Sequence, residues 1–284
     1  MLKKEVATFG VAGNFTGHLE QAGEAKDFLN VKAKEGAPKA LFPTYIPLLK
    51  EIENPAEKCC PDFLHTFPFD SKKIIFPKGE EKLQLEAECA ILFRAEWDEE
   101  RIISLKPLSF AASNDCSIRK EGAKKISLKK NWGPSSKGIS ENLIPLDSFS
   151  KDGILSRYRI ASFLKRQDNV FVYGEDSAVR DYSYIFETLE KWLLEKLNGQ
   201  CDEGPAENIH SYLKEAAYPE EILISIGATR YTEFGQKDFL QKGDHSVIVL
   251  YPEEKYKAEE IFSLVKKCDY SDKGLSVLDQ EIIL

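Results

Sequence analysis

The segment Leu83 to Phe93 constrains this chain more than any other. Leu83, Leu85, Ala87, Cys89, Ile91 and Phe93 alternate with Gln84, Glu86 and Glu88, followed by Ala90 and Leu92. An apolar period of two predicts a half-buried β-strand and argues against a helix. Neighbours at i and i+2 on one face of a strand lie roughly 6.5–7 Å apart, so the carboxylates of Glu86 and Glu88 can converge on one point. Two carboxylates in mid-strand repel each other and cost desolvation. Two readings follow: a solvated face, or a site where a divalent cation removes both costs. Hard cations such as Mg²⁺ prefer carboxylate and water oxygens. A third carboxylate, Asp115, follows the next apolar run in Ser113-Asn114-Asp115-Cys116-Ser117-Ile118-Arg119.

Composition excludes several classes. Hydrophobic residues make up 42% and charged residues 30% of the 284 positions, ordinary for a globular protein with a large core. A net charge of −8 argues against general nucleic-acid binding, which needs basic surface, but leaves room for a small anionic metabolite in a locally basic pocket. There is no Walker A loop, no His-Glu-x-x-His, and the glycines at 10, 13 and 17 have the wrong spacing for a dinucleotide fingerprint. The start Met1-Leu2-Lys3-Lys4-Glu5 lacks a signal peptide's apolar region, and no apolar run is long enough for a membrane span. The cysteines at 59, 60, 89, 116, 201 and 268 form no Cys-x-x-Cys pair. Adjacent Cys59 and Cys60 are a poor arrangement for zinc or a disulfide, so reduced thiols in a cytoplasmic protein are expected.

Val6 to Ala12 reads as a strand running into Gly13-Asn14-Phe15-Thr16-Gly17-His18, a tight loop bracketed by glycines. There His18 either caps a helix starting near Leu19 or serves as a general base. Prolines at 43, 47, 55 and 61 make residues 43–70 an irregular connection, and a strand is expected over 73–77. The lysine-rich segment 122–138, with Trp132 and Lys137, reads as a loop folding over the pocket. A hairpin is expected over 156–172 and the clearest helix over 181–198, capped by Asp181. Further elements are a helix over 208–217, strands over 221–226 and 246–250, a helix over 254–267 and a last strand over 275–284. Strands in the middle, then helices, then strands again predict an α+β domain on a large, mainly antiparallel rolled sheet with flanking helices.

The order of these pieces resembles the fumarylacetoacetate hydrolase family. That family carries Glu-x-Glu on a strand, here Glu86 and Glu88, then Asn-Asp-x-Ser-x-Arg, here Asn114 to Arg119. A tryptophan and lysine follow, here Trp132 and Lys137, and an early Asn-aromatic-x-x-His matches Asn14 to His18. The late Ser225-Ile-Gly-Ala-Thr229 and Lys242-Gly243-Asp244 resemble the segments that close the family's pocket, and Lys32 matches a Phe-Leu-Lys-Pro lysine. The resemblance implies a mixed β-roll, with residues 1–70 a smaller part delivering His18 and residues 71–284 the catalytic domain, commonly as a homodimer. It implies Mg²⁺ or Mn²⁺ on Glu86, Glu88 and Asp115, and His18 as base, with Glu20 or Glu24, the nearest acids, to stand in as its acidic partner. Lys137 would steady enolate-like charge, and Asn14, Arg119 and Thr229 would bind substrate. The implied reaction is C–C hydrolysis, decarboxylation or tautomerisation of a 2-oxo or 1,3-dicarbonyl acid. Two departures stand out. Gln21 replaces the glutamate that many members place three residues after the histidine, and Ser225–Thr229 lacks the family's proline. They keep open the alternative of a non-catalytic protein that binds a small acid or metal.

Overall fold

The computed structural model describes residues 2–28, 31, 33–51, 58–120 and 122–284. The first strands are β1 (Ala7–Ala12), β2 (Ala40–Tyr45), β3 (Lys73–Ile75), β4 (Leu83–Gln84), β5 (Ala87–Asp98), β6 (Arg101–Asn114) and β7 (Ser117–Ile118). They are followed by β8 (Gly138–Ile139), β9 (Ile144–Pro145), β10 (Tyr158–Arg166), β11 (Asn169–Ala178), β12 (Glu221–Ser225), β13 (His245–Pro252) and β14 (Ser276–Ile283). Helices are α1 (His18–Gln21), α2 (Phe186–Gly199), α3 (Ile209–Glu215), α4 (Glu233–Lys237) and α5 (Ala258–Lys267).

A seven-stranded sheet runs β2-β1-β12-β5-β6-β8, with β9 also paired to β6. A five-stranded sheet runs β11-β10-β13-β14-β3, and β4 pairs with β7 as a short ribbon. Pairing is antiparallel except for β1 with β12 and β14 with β3. Leu83, Leu85, Ala87, Cys89, Ile91 and Phe93 enter one buried cluster with Ile160, Leu164, Ile248, Leu250 and Leu278 of the second sheet. The alternating face therefore does what its pattern demands: it cements two sheets. Helix α2 packs Leu189, Trp192, Leu193 and Leu197 into the same core, while α5 covers the second sheet's other face with Ile261 and Val265. The architecture is the expected mixed, mainly antiparallel rolled sheet with flanking helices. Strands β1 and β2, from the first 70 residues, are an integral part of the larger sheet. No helix among the described residues is long and apolar enough to cross a membrane.

Two expectations need correcting. The Leu83–Phe93 segment is buried on both faces, because Gln84 meets Gly235 and Arg119, Glu86 meets Arg119 and Lys130, and Glu88 meets Gly227. It also breaks between β4 and β5, where Glu86 donates its N–H to Asn114 Oδ1 at 3.3 Å instead of continuing a ladder. The 181–198 helix begins only at Phe186. Residues before it are held elsewhere: Tyr182 donates its hydroxyl to Gly227 O at 2.6 Å, and Ser183 its N–H to Asn14 O at 2.9 Å.

Candidate active site

Antiparallel register brings the acids together. Ala87 lies opposite Asn114 and Glu88 opposite Ser113, so Asp115, just past β6, reaches the face that carries Glu86 and Glu88. All three carboxylates are 1–3% exposed, and each offers an oxygen within 4.8 Å of the others. Glu88 Oε2 accepts the Gly227 N–H at 2.8 Å. That approach needs glycine: Gly227 has φ +118°, and a Cβ there would stand 3.1 Å from Asn14 Cβ. Burial, with Asp115 and Glu86 nearby, pushes the Glu88 carboxyl well above its usual range.

Cations answer these acids. Lys130 Nζ lies 2.6 Å from both Glu86 Oε2 and Asp115 Oδ2, and Lys137 Nζ lies 3.0 Å from Asp115 Oδ1. Lys137 also donates to the Cys116 carbonyl, and its ammonium stands 5.4 Å from the centre of the Trp132 ring. Arg119 donates to Glu86 Oε1 at 2.6 Å, Glu24 Oε1 at 2.7 Å, Gln84 Oε1 at 2.5 Å and the Tyr231 hydroxyl at 2.8 Å. Lys129 reaches Glu24 Oε1 at 2.7 Å. Burial alone would raise Glu86, but Lys130 and Arg119 outweigh it and hold that carboxyl well below the usual range.

His18, which opens α1, sits beside this network with 5% exposure. Gly17 turns the chain into the helix at φ +87°. His18 Nδ1 lies 2.8 Å from Thr229 O. A carbonyl only accepts, so Nδ1 carries the ring proton and Nε2 offers a lone pair. Burial lowers the His18 pKa below 6.5, partly offset by Glu86. The ring is therefore a neutral base at pH 7. Among the described residues no carboxylate hydrogen-bonds it. Glu20 is exposed on α1, while Gln21 pins Tyr231, accepting its N–H at 2.8 Å and donating to its carbonyl at 3.2 Å. The acid brought into this network from the first helix region is Glu24, bound to Arg119 and Lys129.

The remaining sequence candidates fall as follows. Asn14 is fully buried, and its amide is spent on backbone: Nδ2 donates to Tyr184 O and Ile226 O, and Oδ1 accepts from Tyr184 N. Thr229 is buried and contributes its carbonyl to His18. Asp244 is tied to Arg166 at 2.8 Å and joins none of the contacts described here. Lys32 lies outside the described residues. Lys129 and Lys130 carried no sequence signal beyond the lysine-rich composition of one loop, which reads as surface.

The donor set suits a hard divalent cation: three buried carboxylates converge, and Asp115 Oδ2 has no hydrogen-bond partner of good geometry among the described residues. Such an ion must displace the Lys130 ammonium, which now spans oxygens of Glu86 and Asp115.

Solved structures of the same architecture cover almost all of this chain. A 2-keto-3-deoxy-D-arabinonate dehydratase complexed with magnesium and 2,5-dioxopentanoate matches at 12% identity and TM-score 0.54, over 98% of this chain and 72% of that one. A 5-carboxymethyl-2-hydroxymuconate delta-isomerase from Mycobacterium smegmatis matches at 13% identity and TM-score 0.52, over 98% and 78%. A protein from Oleispira antarctica described as a fumarylacetoacetate isomerase/hydrolase matches at 13% identity and TM-score 0.51, over 98% and 93%. Rolled sheets, the buried carboxylate cluster and these likenesses define a protein of the fumarylacetoacetate hydrolase fold. No curated protein matches the sequence itself. The chain belongs to a family of unknown function, DUF5718, whose model matches residues 24–282.

Proposed function

We propose that this protein is a divalent-metal-dependent enzyme acting on a 2-oxo or 1,3-dicarbonyl carboxylic acid through an enolate-like intermediate. The observation that carries the reading is the convergence of three buried carboxylates beside a neutral, buried histidine whose Nε2 has no hydrogen-bond partner among the described residues. Glu86, Glu88 and Asp115 would hold Mg²⁺ or Mn²⁺, which supplies Lewis-acid polarisation of the substrate's oxygens. His18 Nε2 takes a proton, Thr229 O fixes the ring's tautomer, and Lys137 supplies positive charge beside the developing enolate. Arg119 and Lys129 add positive charge for an anionic substrate. Because His18 is oriented by a carbonyl rather than a carboxylate, proton transfer at carbon suits it better than activation of water. Isomerisation or decarboxylation is thus favoured over hydrolysis. A cytoplasmic homodimer accompanies the reading.

The test is thermal unfolding of EDTA-stripped protein with Mg²⁺ or Mn²⁺, with and without oxalate, a planar mimic of an enolised 2-oxo acid. Metal near a hundredfold above Kd stabilises by about 2.7 kcal/mol, a Tm rise of roughly 5 °C for a chain of this size. The rise should grow with oxalate and vanish in Glu88→Gln. No rise with either metal sinks the enzyme reading.

One observation favours a second reading, a non-catalytic small-acid-binding protein. Glu24, Glu86 and Asp115 already form ion pairs with Arg119, Lys129, Lys130 and Lys137, so the cluster's negative charge is met from within. That reading predicts oxalate binding without metal.

A further inference from the structure

A second cluster lies where the chain leading from β2 to β3 meets the end of α3. His65 Nδ1 lies 2.9 Å from Ile46 O. The carbonyl only accepts, so Nδ1 bears the proton and Nε2 of the neutral ring presents a lone pair. That lone pair faces Glu215 Oε1 at 3.2 Å, with the two side chains only 10% and 2% exposed. Neither atom has a hydrogen-bond partner of good geometry among the described residues. Two acceptors facing each other in a buried place repel unless a cation lies against both. The other oxygen, Glu215 Oε2, is fixed by the N–H groups of Cys59 at 2.6 Å and Cys60 at 2.8 Å. The buried Cys60 thiol completes the group, with its sulfur within 4.8 Å of the histidine and carboxylate atoms.

We propose that Cys60, His65 and Glu215 form a zinc site, distinct in its residues from the Glu86–Glu88–Asp115 cluster, that staples the segment before β3 to helix α3. Ligands about 2.0–2.1 Å from a tetrahedral zinc lie about 3.3 Å from each other, close to the histidine–carboxylate spacing. One thiolate, one imidazole nitrogen and one carboxylate oxygen suit zinc's borderline softness. The outer contacts are those a metal site uses to orient its ligands: a carbonyl on Nδ1 and two N–H groups on the non-coordinating oxygen. The fourth position falls to water or to the Cys59 thiol. Without a cation, burial and the Glu215 carboxylate push Cys59 up to about 12 and Cys60 higher still, so both stay protonated. Zinc reverses that preference by coordinating the thiolate. The rival arrangement is a doubly protonated His65 paired with Glu215, which needs no metal.

The deciding experiment titrates Co²⁺ into the reduced, chelator-treated full chain. The expected result is a cysteinate-to-cobalt charge-transfer band with the intense visible bands of tetrahedral cobalt, all lost on adding Zn²⁺. The charge-transfer band should disappear in Cys60→Ser and the site's affinity should collapse in His65→Gln. It should persist in Glu88→Gln and in Cys201→Ser/Cys268→Ser, which removes two exposed thiols. Should Cys60→Ser not fold, His65→Gln and the wild-type spectrum still decide. A wild type without the band, or a band that survives in Cys60→Ser or His65→Gln, overturns the site. Because Glu88→Gln keeps this site while losing the other metal response, failure here and failure of the proposed activity read out separately.

Discussion

Lys130 Nζ and Asp115 Oδ2 form a buried ion pair 2.6 Å long, between side chains that are 3% and 2% exposed. The same ammonium is equally close to Glu86. An internal cation thus contests the oxygens that a divalent ion would use. Lys130→Met should strand the carboxylates and cost about 3–5 kcal/mol in metal-free buffer, the usual result of breaking a buried pair from one side. Mn²⁺ should recover most of that loss and raise the variant's Tm by more than it raises the wild type's. Thermal unfolding with and without Mn²⁺ measures both effects. A variant as stable as wild type and indifferent to Mn²⁺ rules the competition out.

Arg119 is the joint of the network, because its planar fork reaches Glu24, Glu86, Gln84 and Tyr231 at once. Lysine keeps the charge but is a single point on a flexible stem. Arg119→Lys should therefore lose about 3 kcal/mol of stability in urea, of the order expected when buried charges lose their partner. A loss below about 0.5 kcal/mol, ordinary for an exposed substitution, refutes this role.

His18→Gln keeps a side-chain donor for Thr229 O but has no base. Enolisation or decarboxylation of oxaloacetate should fall by about 10²–10⁴-fold while the oxalate-enhanced metal response of Tm stays. In wild type, burial lowers the histidine's pKa, so its basic form predominates at pH 7. The kcat/KM profile should rise with pH through an inflection below 6.5 and then stay flat. An inflection above 6.5 assigns the base elsewhere.

Glu207, a member of neither cluster, offers a pH test. Burial pushes its carboxyl up to about 7, although Ser127 donates a hydrogen bond to one of its oxygens at 2.6 Å. Its folded pKa lies above its unfolded one, so the folded state holds the proton more tightly. Stability is therefore full below about pH 4.5 and is lost as pH rises towards 7. Glu207→Gln should remove that slope and stabilise the protein at pH 8 by about 2–3 kcal/mol, measured by urea unfolding across the range. Parallel curves for variant and wild type from pH 5 to 8 would falsify the assignment.

The carboxylate cluster was legible because it is local. Period-two alternation puts Glu86 and Glu88 on one face, and one hairpin returns Asp115 to them. The rolled sheet was legible for the same reason, from strand signals in order. What escaped reading lies where no period operates. Lys129 and Lys130 sit in an irregular segment, and their burial depends on Glu24 and Glu86 far away in sequence. Cys60 and His65 meet a carboxylate only because Glu215 arrives from α3. Residues 182–185 share the apolar spacing of the helix that follows, yet hydrogen bonds to Gly227 and Asn14 draw them out of it. In each case a long-range polar contact outweighs local preference.

The Asn14 side chain joins the loop after β1 to positions 170 and 212 residues further along the chain. A contact of that sequence separation cannot form early, because the entropy of closing so large a loop is recovered only once the intervening strands are in place. Asn14 also adjoins Gly227, the residue that fixes Glu88, and its loop leads directly to His18. The acids meet within one hairpin, but the loop that carries His18 joins them only after these distant contacts close. A fragment lacking the last quarter of the sequence would keep Glu86, Glu88 and Asp115 on one hairpin but lose Gly227 and Thr229, the residues that hold Glu88 and His18 in their working positions.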